Sequence, residues 1–169
     1  IKANTLTIGN GNGSGFGNTA LGSISLTSHP HGTFNTGTGY ASLQFHTTGM
    51  QNTASGYSAL QFNNAGNQNT AFGYGALHFN TSGSGNIAIG YNAIGTNTNT
   101  TGSNLTVIGN SANVSSNGLT NSTAIGNGAI VDASNKIQLG NTSVSAVNTS
   151  GSITAASYIK SGGTSSHFL

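Results

Sequence analysis

Five times in succession the chain repeats one phrase: Asn18-Thr-Ala-Leu-Gly22, Asn35-Thr-Gly-Thr-Gly39, Asn52-Thr-Ala-Ser-Gly56, Asn69-Thr-Ala-Phe-Gly73 and Asn86-Ile-Ala-Ile-Gly90. The period is 17 residues, and Gly22, Gly39, Gly56, Gly73 and Gly90 keep it without a slip. Gly109 follows after a two-residue insertion, and Gly126 after 17 more. A short fixed period makes each unit one supersecondary piece that buries its apolar side only against its neighbours. Such a chain is expected to stack into a rod or roll.

Counted from its Asn, the unit has a small third position: Ala20, Gly37, Ala54, Ala71, Ala88, then Val107 and Ala124. Only a small residue fits where another backbone approaches closely. The fifth position is the recurring Gly, suited to a φ > 0 corner or to close packing between coils. Tyr40, Tyr57, Tyr74 and Tyr91 follow it in four successive units. A second small position comes two residues on (Ser25, Ser42, Ala59, Ala76, Ala93, Ala112, Ala129), then Leu26, Leu43, Leu60, Leu77, Ile94 and Ile130, and then Phe45, Phe62 and Phe79. Apolar residues spaced by two on either side of a Gly corner predict two short strands per unit and no helix. Seven such units at the ~4.8 Å strand spacing make a rod roughly 30–35 Å long.

The pattern divides the chain. Residues 1–17 read as a lead-in coil, 18–102 as five β-roll repeats and 103–140 as variant repeats. Residues 141–160 alternate small polar and apolar side chains about Ser150-Gly-Ser and read as a short β-stem; 161–169 read as a linker. The chain opens at Ile1 and closes at Leu169 in mid-pattern, as a piece of a longer polypeptide would.

Composition narrows the function. Formal charge is confined to Lys2, Lys136, Lys160 and Asp132, 2% of residues. With no Arg the chain lacks the cations that phosphate contacts need, so neither nucleic acid nor an anionic membrane is an expected partner. No apolar run reaches the length of a membrane span. One Asp without Glu or Cys excludes a carboxylate pair or a Cys dyad within one chain, so no enzyme is expected. Asp132 reads as a solvated or turn-capping carboxylate. Ordering a coil costs backbone entropy that its few large apolar side chains barely offset. Burying the small-residue face against copies of the chain would close that gap, so an oligomer is expected.

At these residues a resemblance emerges. Ala88-Ile-Gly-Tyr-Asn-Ala-Ile94 and Thr123-Ala-Ile-Gly-Asn-Gly-Ala129 resemble the head repeats of YadA-type trimeric autotransporter adhesins. The longer Asn-Thr-Ala-x-Gly-Tyr-x-Ala-Leu unit is similar to repeats of phage tail fibres and bacterial surface proteins that precede an endosialidase-type intramolecular chaperone. Asn135-Lys-Ile-Gln-Leu-Gly-Asn-Thr-Ser143 and Lys160-Ser-Gly-Gly-Thr-Ser-Ser166 resemble the stem that follows such repeats. The resemblance implies an all-β, left-handed parallel β-roll or β-solenoid, assembled as a homotrimer and located outside the cell, at its surface or on a virion.

The expected function is accordingly a structural fibre segment, shaft or head, of a surface adhesin or tail fibre that binds a surface glycan or protein. An ice-binding β-solenoid is the alternative, because Thr and Asn rows on a flat β-face suit ice. A non-catalytic part of a polysaccharide-degrading fibre is the third. Tyr40, Tyr57, Tyr74 and Tyr91 have two readings: a stacked ladder that holds the roll, or an exposed strip for sugar rings or a receptor. The Asn column at 18, 35, 52, 69 and 86 reads as stacked amides at a corner. Gly22, Gly39, Gly56, Gly73, Gly90, Gly109 and Gly126 are the expected corners. No cofactor is expected, with one exception: His29-Pro-His31 would offer six imidazoles to a transition metal if three copies met on an axis, as in trimeric phage fibres. His46, His78 and His167 read as polar surface.

Overall fold

The computed structural model describes residues 2–3, 6–9, 15–28, 31–96 and 101–151. Its strands are short: β1 (Lys2–Ala3), β2 (Leu6–Gly9), β3 (Thr19–Leu21), β4 (Thr36–Thr38), β5 (Thr53–Ser55), β6 (Thr70–Phe72), β7 (Ile87–Ile89), β8 (Thr106–Ile108), β9 (Asn113–Val114), β10 (Thr123–Ile125), β11 (Ile130–Val131) and β12 (Ile137–Leu139). Ten form one sheet in the order β1-β2-β3-β4-β5-β6-β7-β8-β10-β12, and β9 pairs with β11. From β3 onward all neighbours in the large sheet run parallel. The chain is an all-β solenoid of about seven turns. Among the described residues no helix is long and apolar enough to cross a membrane.

The sequence period is the sheet register. Thr19 lies opposite Thr36, Thr36 opposite Thr53 and Thr53 opposite Thr70. The insertion shifts the offset so that Ile87 meets Thr106, and the shortened unit brings Thr123 opposite Ile137. Both length changes are absorbed outside the strands, because a one-residue slip would turn every inward side chain out. At the first edge β1 and β2 pair antiparallel, and β2 pairs antiparallel with β3. That covers the starting edge of the parallel sheet.

Each of β3 to β8 and β10 buries its central residue and leaves the flanking pair exposed or half-buried, as alternation along a strand requires. Ala20, Ala54, Ala71, Ala88, Val107 and Ala124 therefore point inward. Facing them are the second small column and the wholly buried Leu26, Leu43, Leu60, Leu77 and Ile94. Both small columns line the inside of their own coil, where its walls meet. The expectation that they form a face against other copies is corrected: nothing at these positions is left for a partner to cover. The one Gly in the third position follows from its neighbours. A Cβ on Gly37 would stand 2.5 Å from Ser25 Oγ and 3.0 Å from Ser42 Oγ, which are hydrogen-bonded to each other at 2.8 Å.

The expected second strand is absent from the coils that carry β3 to β7, where the residues after the Gly corner form turns. The cause is backbone hand. The seventh and ninth positions are left-handed: φ is 55° at Ala41 and 50° at Leu43, 53° at Ser58 and 50° at Leu60, 49° at Asn92 and 49° at Ile94. This conformation costs a non-Gly residue about 1–3 kcal/mol, and it persists where the surroundings over-determine it. Here the surroundings are the adjacent coils. Ser58 N donates back to Tyr40 O at 2.8 Å, while Leu60 N donates forward to Ala76 O at 3.0 Å. Only past the insertion does a second ladder form, between β9 and β11. The expected β-stem is not seen in residues 141–151, which hold no strand; residues 152–160 and the 161–169 linker lie outside the described residues.

Candidate binding surface

A buried polar spine fixes the coil spacing. In the Asn column, Asn69 Oδ1 accepts the Asn86 N–H at 2.9 Å and Asn69 Nδ2 donates to Gly83 O at 2.8 Å. Asn52 does the same toward Asn69 N and Gly66 O, and Asn35 toward Asn52 N and Gly49 O. Asn supplies both an acceptor and a donor in one short side chain, which this geometry needs. The column ends where Leu105 takes the position, its N–H still held by Asn86 Oδ1 at 3.0 Å.

The carbonyls that receive these amides belong to a second glycine column, Gly32, Gly49, Gly66, Gly83 and Gly102, which is absent from the sequence-predicted corners. A Cβ on Gly32 would come within 2.6 Å of Gly49 O and 2.7 Å of the His46 ring. The signal was the same 17-residue recurrence that marked the first column. In that first column φ runs from 121° to 153° over Gly22, Gly39, Gly56, Gly73, Gly90, Gly109 and Gly126. A Cβ on Gly39 would stand 2.7 Å from Gly56 O.

His46 is wholly buried, which corrects its reading as polar surface. Its Nδ1 lies 2.6 Å from Asn63 O and its Nε2 2.7 Å from Gly49 O. Asn63 and Asn80 hold the same position in the next coils, each donating its amide to the Gly three residues on at 2.9 Å. The imidazole thus stands in for an amide of the spine. His78 is half-buried, edge-on to Phe62 and Phe79 at 5.2 and 4.3 Å. Desolvation lowers its pKa, and a backbone hydrogen bond with Ser58 opposes the shift in part. His31 is exposed, whereas His29 and His167 lie outside the described residues. Among the described residues no group of three His, Cys, Asp or Glu side chains could hold a metal ion. Asp132 pairs with Lys136 at 2.7 Å on the surface, and that hydrogen bond lowers its pKa.

Tyr40, Tyr57, Tyr74 and Tyr91 form an outer row, with successive ring centroids 5.0, 5.0 and 5.3 Å apart and planes within 18° of parallel. The row is both ladder and surface: each residue is 46–52% exposed. Because the rings stack along the rod, they cover one another's faces and turn edges and hydroxyls to solvent. Among the described residues none of the four hydroxyls has a hydrogen-bond partner. Ser23 and Asn110 occupy the same position beyond the two ends of the row. Phe45, Phe62 and Phe79 make a second stack, at 5.1 and 5.7 Å.

The outward residues of β3 to β12 form a third surface. Their first position is Thr19, Thr36, Thr53, Thr70, Ile87, Thr106, Thr123 and Ile137; their last is Leu21, Thr38, Ser55, Phe72, Ile89, Ile108, Ile125 and Leu139. No charged side chain lies in either row, and Phe72, Ile87, Ile89, Ile125, Ile137 and Leu139 are exposed. No protein-family model matches the chain, and neither a curated protein nor a solved structure is found similar to it.

Proposed function

We propose that the chain is a fibre segment, the shaft or head of a surface adhesin or phage tail fibre, built as a homotrimer of left-handed coils outside the cell. The observation that carries this reading is the outer sheet face. It is uncharged along its length and becomes apolar from β6 toward β12. Eight strands at ~4.8 Å and three residues across give a face of roughly 300–350 Å². From β6 to β12 it sets Phe72, Ile87, Ile89, Ile125, Ile137 and Leu139 side by side in the open, the kind of apolar patch that interaction sites use. Rows of identical pitch let a parallel copy match the face coil by coil, and no like charges oppose one another there. The handedness and the number three rest on the resemblance of the repeats to adhesin heads.

Light scattering tests it: the expected molar mass is three times 16.7 kDa, and a stable monomer overturns the assembly. Ice binding is the second reading, favoured by Thr at the first outward position of six strands (19, 36, 53, 70, 106 and 123). Thermal hysteresis with shaped ice crystals would support it over the fibre.

A further inference from the structure

We infer that the tyrosine row is a linear binding surface for an extended, uncharged polysaccharide lying along the rod axis, with one sugar residue per coil. This deepens the adhesin reading and rests on it for a biological setting. The stacking of Tyr40, Tyr57, Tyr74 and Tyr91 leaves no open ring face between coils, so a sugar cannot stack on the row as it would on a single aromatic platform. What the row offers is a line of phenol hydroxyls on rings whose centroids stand 5.0–5.3 Å apart, none engaged with a described residue. Each is both donor and acceptor, and the ring edge beneath it is a weakly positive apolar contact. An extended pyranose polymer repeats its hydroxyls at close to this distance, so one chain can meet four tyrosines in register without bending. A rigid row also loses little freedom on binding, which favours a weak multipoint contact. The neutral ligand follows from the charges. Asp132 and Lys136 are the only formally charged side chains described, and they pair with each other outside the Tyr-bearing coils. Among the described residues an acidic glycan would find no counter-charge at the row.

The test is titration of the intact chain with β-1,4-linked cello- and chito-oligosaccharides of two, four and six residues, followed by isothermal calorimetry and by tyrosine ring signals in NMR. Affinity is expected to rise steeply from the dimer to the tetramer and little beyond it, with shifts on all four tyrosines. Tyr57→Phe with Tyr74→Phe keeps both rings in the stack and removes two hydroxyls. It is expected to weaken tetramer binding about tenfold while leaving the circular dichroism spectrum unchanged. No binding by either oligosaccharide series, binding unmoved by the double substitution, or preference for polygalacturonate or an extended peptide would each overturn the inference. Molar mass measured on the same sample keeps the two ideas apart. A trimer that binds no neutral glycan sinks the glycan surface alone, whereas a monomer that binds one sinks only the fibre.

Discussion

Removing one amide from the Asn spine should open the solenoid at that coil. Asn69 is wholly buried, and its side chain and N–H make four hydrogen bonds: its Oδ1 accepts Asn86 N–H at 2.9 Å, its Nδ2 donates to Gly83 O at 2.8 Å and to Asn52 Oδ1 at 3.1 Å, and its own N–H donates to Asn52 Oδ1 at 2.9 Å. In Asn69→Ala the backbone bond to Asn52 survives. The Asn86 N–H loses its side-chain partner inside the roll, whereas the Gly83 carbonyl keeps the Asn80 amide at 2.9 Å. A buried group left unpaired costs about 1–3 kcal/mol, so the change should destabilise by about that much before any cavity term. In a repeat protein the loss concentrates in the affected coil and its neighbours. The assay is therefore residue-level: hydrogen exchange of the Asn86 amide should accelerate by about one to two orders of magnitude, while that of Ala20 changes little. Urea unfolding at fixed protein concentration gives the global figure. An Asn86 amide as protected as in the parent, with a stability change under about 0.5 kcal/mol, within the range of ordinary surface substitutions, would refute the reasoning.

Four further outcomes are expected. Ala71→Leu or Ala88→Leu should overpack the inside of one coil and cost about 1–3 kcal/mol with molar mass unchanged, whereas dissociation into monomers would place these residues at an interface after all. Gly56→Val sets a β-branched residue at φ 140° with its Cβ against the Gly73 carbonyl, so limited proteolysis should cut between coils there; a resistant variant contradicts the corner assignment. Ile89→Lys with Ile125→Lys puts charge on the outer face and should dissociate the assembly without loss of β-signal, and an unchanged molar mass would exclude that face. Because burial lowers the His78 pKa, the unfolded chain binds more protons below the ordinary histidine value, and stability should fall as pH drops from about 6.5 toward the folded pKa; His78→Gln, the residue at this position in the two preceding coils, should flatten that slope.

The 17-residue period by itself determined what stacks on what. Once Asn52, Asn69 and Asn86 recur at fixed spacing, a solenoid must bring them into one column, and the Gly, Ala, Leu and Tyr positions follow as columns of their own. The amide spine and the glycine corners were legible for that reason: a column of Asn can satisfy itself, and a Gly that never varies implies a backbone no Cβ can enter. Tertiary structure alone decided which way each column faces. Ala71 and Ala88 look the same in sequence whether they meet a partner chain or the far wall of their own coil. Leu43 and Leu60 read as strand residues, yet hydrogen bonds to the following coil, with those of Ala41 and Ser58 to the preceding one, hold them left-handed, a conformation no intrinsic propensity of Leu announces. His46 reads as surface because histidine usually is; it is buried because its ring meets the Gly49 carbonyl, as an Asn amide at this position meets its own Gly, and also the Asn63 carbonyl of the next coil. The tyrosines were visible as a row, but their stacking, which turns hydroxyls outward instead of ring faces, is a product of coil pitch. Sequence repeats fix the axial neighbours of a residue, and the hand of the backbone between the repeats fixes its direction.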